Sequence, residues 1–281
     1  MLVNNIEKDY SLYNIIDRLH IILKKYLTKN NNIDILEGHA GIIMVMVSLF
    51  EQFGNPKFLD TALISVNYLI KTKYTDNNKT YWIDPTTNNS YSGFAHGTSG
   101  IIAALSKFNK YRNNLDIEET IMKSLNFESS LFNKKTNNWF SSKEKDKNIS
   151  MAWCHGAPGI LLSRSILIQN GIDNPTIQNE IKVALDTVLQ FGFGRNRSLC
   201  HGDMGNLSII QGYKHLNDVK YTIKKVENFL YDYFSNHNLN KGTSRGVESI
   251  GLMIGLSGIG YGFLKIFDDS VPNILALETP K

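Results

Sequence analysis

Apolar positions along the chain fall into stretches with helical spacing, each preceded by the same short glycine pattern. Ile42, Val45, Leu49 and Phe53 recur at intervals of three and four, which lines one face of a helix. Ile101, Leu105 and Phe108 behave alike, as do Leu161, Ser165 and Ile168. Ahead of these stretches stands Gly-x-x-Gly. It occurs as Gly38-His39-Ala40-Gly41, Gly97-Thr98-Ser99-Gly100, Gly156-Ala157-Pro158-Gly159, Gly202-Asp203-Met204-Gly205 and Gly255-Leu256-Ser257-Gly258. Successive first glycines lie 46 to 59 residues apart, the length of a helical hairpin rather than of a short solenoid turn.

A second, more amphipathic helix is predicted in several repeats, over Leu59 to Ile70, Ile177 to Phe191 and Val219 to Phe234. Charges on one face mark these as outer helices. The links Lys73 to Tyr91 and Asn133 to Ser150 are polar and turn-rich, and the charge run Lys143 to Lys147 reads as a solvated loop. Alternation with period two is missing, which argues against strands. Inner and outer helices repeated about an axis predict an all-α protein, an α/α toroid, formed as one domain over residues 1–281. The paired glycines would allow backbones to approach closely at a crowded centre.

Composition narrows the picture. Of 281 residues, 42% are hydrophobic and 11% aromatic, enough for a sizeable core and too many for a disordered or collagen-like chain. Thirty basic and 26 acidic residues give a scattered net charge of +4, with no dense block for nucleic acid or a membrane surface. The longest apolar run, Ile250 to Leu264, is broken by five glycines and is shorter than the roughly 20 residues of a span. The first residues lack the basic and apolar pattern of a signal peptide. A soluble cytoplasmic protein is expected.

Only two cysteines occur, Cys154 and Cys200, and both are followed by His-Gly. With seven His and 21 Gly in the chain, chance would produce that twice on the order of a few times in a million, so the contexts share an origin. Both could be small buried apolar residues inherited with the repeat. Yet the other repeats hold Leu36, Ala95 and Met253 at that position. A disulfide is disfavoured in a reducing compartment. If each glycine pattern caps an inner helix at one end of the toroid, the cysteines and their neighbouring histidines converge near the axis, a donor set that suits zinc. A helix N-terminus there would favour the thiolate. Two Cys and two His would close a structural site, whereas three donors would leave a position for substrate.

His96 and Asp34 stand just before the first two glycine patterns and are expected to face the same cavity. A histidine there could move protons near neutral pH. Each reads equally well as a helix cap or a satisfied polar group. His20, His39, His215 and His237 lie outside this arrangement, His39 because it follows its glycine instead of preceding it.

These motifs together resemble the lanthionine synthetase C-like cyclases. The matching elements are Asp34-Ile35-Leu36-Glu37-Gly38-His39-Ala40-Gly41, Ala95-His96-Gly97, Trp153-Cys154-His155-Gly156-Ala157-Pro158-Gly159 and Cys200-His201-Gly202. Gly255 to Leu264 and the tail Val271 to Glu278 look like the end of the bifunctional class II lanthipeptide synthetases. The resemblance implies an α/α toroid, usually of seven hairpins, with one zinc ion held by Cys154, Cys200 and His201, and with His155 a neighbour. It implies acid–base and supporting roles for His96 and Asp34, and a dehydrated precursor peptide as substrate. Five glycine patterns instead of seven hairpins imply an N-terminally incomplete ring, and the dehydratase domain of the bifunctional enzymes has no counterpart. A separate dehydratase or a missing N-terminal portion is therefore an expected partner, and an incomplete ring would expose an apolar flank. A non-catalytic, zinc-containing peptide-binding module is the second reading. A carbohydrate enzyme on an α/α barrel, a third, would require a pair of cavity acids that Asp34 and Glu37 do not convincingly supply.

Overall fold

The computed structural model of the protein describes residues 10–142, 150–236 and 249–280. The charge run Lys143 to Lys147 and His237 lie outside the described residues. Ten α-helices fill most of the rest: α1 (Tyr10–Leu27), α2 (His39–Phe53), α3 (Lys57–Thr72), α4 (Thr98–Asn109), α5 (Leu115–Ser129), α6 (Ala157–Gln169), α7 (Pro175–Phe191), α8 (Asp203–Ile210), α9 (Asn217–Asn236) and α10 (Leu256–Phe267). All three predicted outer helices are present, each slightly longer than its sequence pattern, and α5 is a fourth. The helices α2, α4, α6, α8 and α10 pack in succession, and α3, α5, α7 and α9 each lie outside the inner helix they follow.

Inner and outer helices start differently. Two outer helices use side-chain caps: Asn114 accepts from Asp116 N and Ile117 N at α5, and Asn174 from Ile177 N ahead of Pro175 at α7. Inner helices begin on a glycine with no side chain to cap them. The preceding loop folds back, and its carbonyls take up the free N–H groups of the first turn. His39 N donates to Asn32 O, Thr98 N to Tyr91 O, Asp203 N to Asn196 O and Leu256 N to Ser249 O, a constant offset of seven residues. This return brings the loop onto the second glycine of each pattern. A β-carbon on Gly41, Gly100, Gly159, Gly205 or Gly258 would overlap the carbonyl of the residue six places earlier. The close approach foreseen at a crowded centre is therefore made mainly within each turn. Gly156 is bound further by its backbone, with φ +90, where an L side chain is strained.

Two of the inner helices are buried almost completely. Eleven of the twelve residues of α4 and all eight of α8 are buried. That removes the amphipathic stripe on which helix prediction depends. In α2 the set Ile42, Val45, Leu49 and Phe53 is the less buried one, and Ile43, Met44, Met46 and Val47 carry the packing. The last inner helix differs, since only Gly258, Ile259 and Gly262 of α10 are buried. Exposed apolar side chains gather on α1 (Leu19, Ile22) and α10 (Leu264, Phe267).

The links hold two small hairpins that the absence of alternation did not reveal, because the strands have only two or three residues. β1 (Tyr74–Asp76) pairs antiparallel with β2 (Lys79–Tyr81), Thr75 opposite Thr80. Asn77 and Asn78 turn between them with positive φ, the conformation of a tight hairpin turn. β3 (Phe132–Asn133) pairs with β4 (Asn138–Trp139).

Polar groups are also buried between the layers. Arg164 of α6, with no exposed surface, donates to Glu128 of α5 at 2.7 Å and to Glu180 of α7 at 2.8 Å. Ser99 and Ser129 donate to the other carboxylate oxygens. His39 is held between Ser65 Oγ and Asn30 O, both at 3.0 Å, and stacks on Tyr68.

Candidate active site at the heads of the inner helices

The five returning loops touch in chain order. Ile35 N donates to Ala95 O, a β-carbon on Gly93 would strike Cys154 O, and Cys200 N donates to Met253 O at 2.8 Å. Equivalent positions of the repeat are thereby brought side by side. Two places before the first glycine stand Leu36, Ala95, Cys154, Cys200 and Met253, and one place before it Glu37, His96, His155, His201 and Ile254.

Between the third and fourth loops the two cysteines meet. Both are free thiols, partly buried, and near enough for each to shift the titration of the other. The pair shares its protons unequally. The neighbouring Cys200 thiol lowers the Cys154 pKa, and the charged form of His96 and the N–H groups of Cys154 and His155 act in the same direction. Cys200 is pushed upward by the Cys154 sulfur beside it, by burial and by the negative charge there. The thiolate at Cys154 is thus favoured by a partner thiol, by His96 and by its own turn. The helix N-terminus that the sequence suggested has its first N–H groups occupied in most repeats by the returning loop.

His96 and Asp34 form the second element. Asp34, buried, accepts from Glu37 N at 2.8 Å through one carboxylate oxygen and binds His96 Nδ1 at 2.9 Å through the other. That bond raises the His96 pKa against the opposing effect of burial. The His96 side chain is 39% exposed, so its imidazolium is both stabilised and reachable. The ring of His155 lies 5.9 Å from that of His96. His155 donates from Nδ1 to Ser92 O at 3.1 Å, and burial together with the charge on His96 lowers its pKa. Two adjacent imidazoles are pushed in opposite directions, the pattern that separates an acid from a neutral partner. The repeat places His155 beside the thiols, but only the structure shows that its environment opposes that of His96.

The donor set fits zinc in kind, with two thiols in contact and one already biased to the thiolate. His201 follows Cys200 in the same turn; its N–H is bound to Ser198 Oγ and its carbonyl accepts from Asn196. Among the described residues no group of three or more His, Cys, Asp or Glu side chains is gathered at metal-site distances. The structure therefore joins Cys154 to Cys200 and His96 to Asp34. The carboxylate of Asp34 is committed to His96 and to the Glu37 backbone, which removes it as one of the paired acids that glycoside chemistry requires.

Comparison with known proteins then settles the family. The sequence profile described as "Lanthionine synthetase C-like protein" matches residues 1–278. The chain belongs to that family. Over 247 residues it is 30% identical to the lacticin 481/lactococcin biosynthesis protein LcnDR2 of Lactococcus lactis subsp. lactis, an alignment covering 83% of this chain and 25% of that protein. The chain thus spans about a quarter of the length of that relative. Its fold is similar to that of nisin cyclase, with a TM-score of 0.76 at 17% identity over 98% of this chain and 77% of the other. A cellobiose 2-epimerase from Bacillus thermoamylovorans is more remote, with a TM-score of 0.51 at 10% identity over 69% of this chain and 59% of the other. The expected hairpin architecture is borne out by these likenesses of fold. No helix among the described residues is long and apolar enough to cross a membrane.

Proposed function

We propose that this member of the lanthionine synthetase C-like family is a zinc-dependent peptide cyclase. It adds a cysteine thiolate of a dehydrated precursor peptide to a dehydroalanine or dehydrobutyrine of the same peptide, closing a (methyl)lanthionine ring. The observation that carries this reading is the meeting, at one end of the helices, of a thiol pair with a carboxylate-supported histidine. Cys154, Cys200 and His201 would hold the zinc ion, which supplies Lewis acidity toward a thiol at neutral pH.

The protein's own residues account for the proton. Addition of sulfur to Cβ pushes the π electrons toward Cα and its carbonyl, and the resulting enolate needs a proton at Cα. His96 delivers it from Nε2, while Asp34 holds Nδ1, fixes the ring and favours the charged form that donates. The proton lost by the substrate thiol restores the imidazolium, so the net change is addition of S–H across the C=C bond. A dehydratase must supply the dehydro residues, as a separate protein or as another part of a larger synthetase. Enzyme and precursor peptide would meet in the cytoplasm.

The second reading is a zinc-containing peptide-binding module that keeps the fold and the metal without turnover. Ring closure on a dehydrated precursor peptide separates the two, and zinc analysis of the purified protein tests the metal that both require. One equivalent of zinc in the wild type, its loss in Cys200→Ala, and ring closure that fails in both Cys200→Ala and His96→Asn are expected. No ring formation by the zinc-loaded wild type, or equal rates for all three proteins, would sink the cyclase reading.

A further inference from the structure

Beyond α10 the chain turns back among the inner helices instead of running over the surface. Tyr261 OH donates to Pro272 O and Lys265 Nζ to Val271 O, both at 2.8 Å. Ser208 of α8 bonds Asn273, and Ser48 of α2 donates to Leu277 O at 2.8 Å while receiving a bond from Lys107 of α4. Leu275 and Ala276, in a 3-10 turn, are 1% and 4% exposed. The segment is also tied to itself: Asn273 caps Leu275 N, Asn273 N donates to the Glu278 carboxylate, and Leu277 is held at φ +51. Groups on α2, α8 and α10 thus surround a single strand of chain, which occupies the bore. Two cavities of about 450 and 640 Å³ flank it, with Ala276 and Glu278 in the wall of both.

Its contact with the site is Trp153, the residue before Cys154. The indole is 3% exposed, and its N–H donates to Leu275 O at 3.2 Å. Its ring packs 5.9 Å from Phe94, and its carbonyl is the one that closes over Gly159. Trp153 is therefore fixed by the second loop, by the first turn of α6 and by the tail.

We propose that residues 273–277 are a built-in plug that fills the bore behind the thiol pair and, through the indole of Trp153, holds the Cys154 turn in register. Trp153 is then a positioning residue. The plug also dictates that substrate approaches Cys154 and Cys200 only from the side of the returning loops. Its consequence for ring closure rests on the cyclase reading, but its consequence for the Cys154 turn does not.

Trp153→Phe keeps the ring and removes the donor. Trp139→Phe is the control for trimming a buried indole, because Trp139 is 1% exposed and its N–H has no partner. In full-length protein stripped of metal by a chelator, the rate of Cys154 alkylation by iodoacetamide is followed by peptide mass spectrometry. Trp153→Phe is expected to raise it about tenfold over Trp139→Phe at matched Tm, and to weaken zinc binding by roughly tenfold, as loss of a supporting contact does. Ser48→Ala, which frees the Leu277 carbonyl, is expected to act in the same direction by a smaller factor, and decides the matter should Trp153→Phe not fold. Alkylation rates within twofold of the control for both variants would overturn the plug. A wild type that neither binds zinc nor closes rings would instead overturn the cyclase reading, leaving the alkylation comparison valid.

Discussion

His39 and His96 belong to the first two repeats and differ by the side of the glycine on which they stand. His96 precedes Gly97 and faces the loop end, where Asp34 meets it and its pKa rises. His39 follows Gly38 and enters the first turn of α2, pointing to the outer layer. There Ser65 of α3 and a backbone carbonyl use both nitrogens, and burial lowers its pKa. The same division separates the site from the buried Arg164 cluster. Cys154, Cys200, His96, His155 and Asp34 stand at the returning loops, whereas His39 and the Arg164–Glu128–Glu180 group lie between the layers. A strongly perturbed ionisable group is therefore no mark of chemistry by itself in this fold. What distinguishes the loop cluster is reach: Cys154, Cys200, His96 and His155 are partly exposed, whereas His39 and Arg164 are buried.

The largest effect is expected where the contrast is sharpest. Arg164→Ala leaves two carboxylates facing each other with no cation, and breaking a buried pair in this way costs about 3–5 kcal/mol. For a chain of this size the Tm should fall by about 10 °C. Ring closure per folded molecule should stay near that of the wild type below the new Tm. Loss of activity without loss of Tm would move Arg164 into the site and erase the division.

His96→Asn makes the opposite prediction. The side chain lies at the loop end and is partly exposed, so thermal unfolding should shift by only a few degrees. Removal of a proton donor costs on the order of 10²–10³ in rate. Single-turnover ring closure at saturating peptide measures this, and zinc content should remain unchanged, since His96 is not among the proposed ligands. A fall in zinc content equal to that of Cys200→Ala would make His96 a ligand instead of an acid.

How much of this was legible beforehand follows from the same geometry. The repeat was visible because the returning loop excludes a β-carbon at a fixed place in every turn, so glycine recurs whatever else changes. From that register the meeting of Cys154 with Cys200 could be foreseen, and the placing of Asp34 and His96 at the same end of the helices, but not their hydrogen bond. The inner helices were harder to orient. α2 is apolar nearly all round, so its spacing selected Ile42, Val45 and Phe53 while burial fell on Ile43, Met44 and Val47. The buried Arg164 group was missed because its members are 16, 36 and 52 residues apart and belong to three helices, with no pattern to tie them. The tail stands out in the sequence only as a likeness, because its hydrogen bonds from Ser48 and Trp153 follow no periodicity.

The smallest effect sharpens the pair of histidines most. His96 has a raised pKa, so its bond to Asp34 stabilises the protein fully below the unfolded value of about 6.5 and is lost as pH rises through the higher folded value. His39 has a lowered pKa, so its neutral bonds stabilise above about 6.5 and are lost as pH falls through the folded value. The groups around His96 are Asp34, Asp84, Cys154 and His155, and a chelator keeps metal binding from adding its own proton release. Unfolding temperatures of His96→Asn and His39→Asn, each subtracted from the wild type between about pH 5 and pH 8, should therefore slope in opposite directions. The penalty of His96→Asn should shrink toward alkaline pH and that of His39→Asn toward acid. Parallel slopes would mean that the side of the glycine does not set the protonation of these rings, and the division between loop end and interlayer would have to rest on the thiols alone.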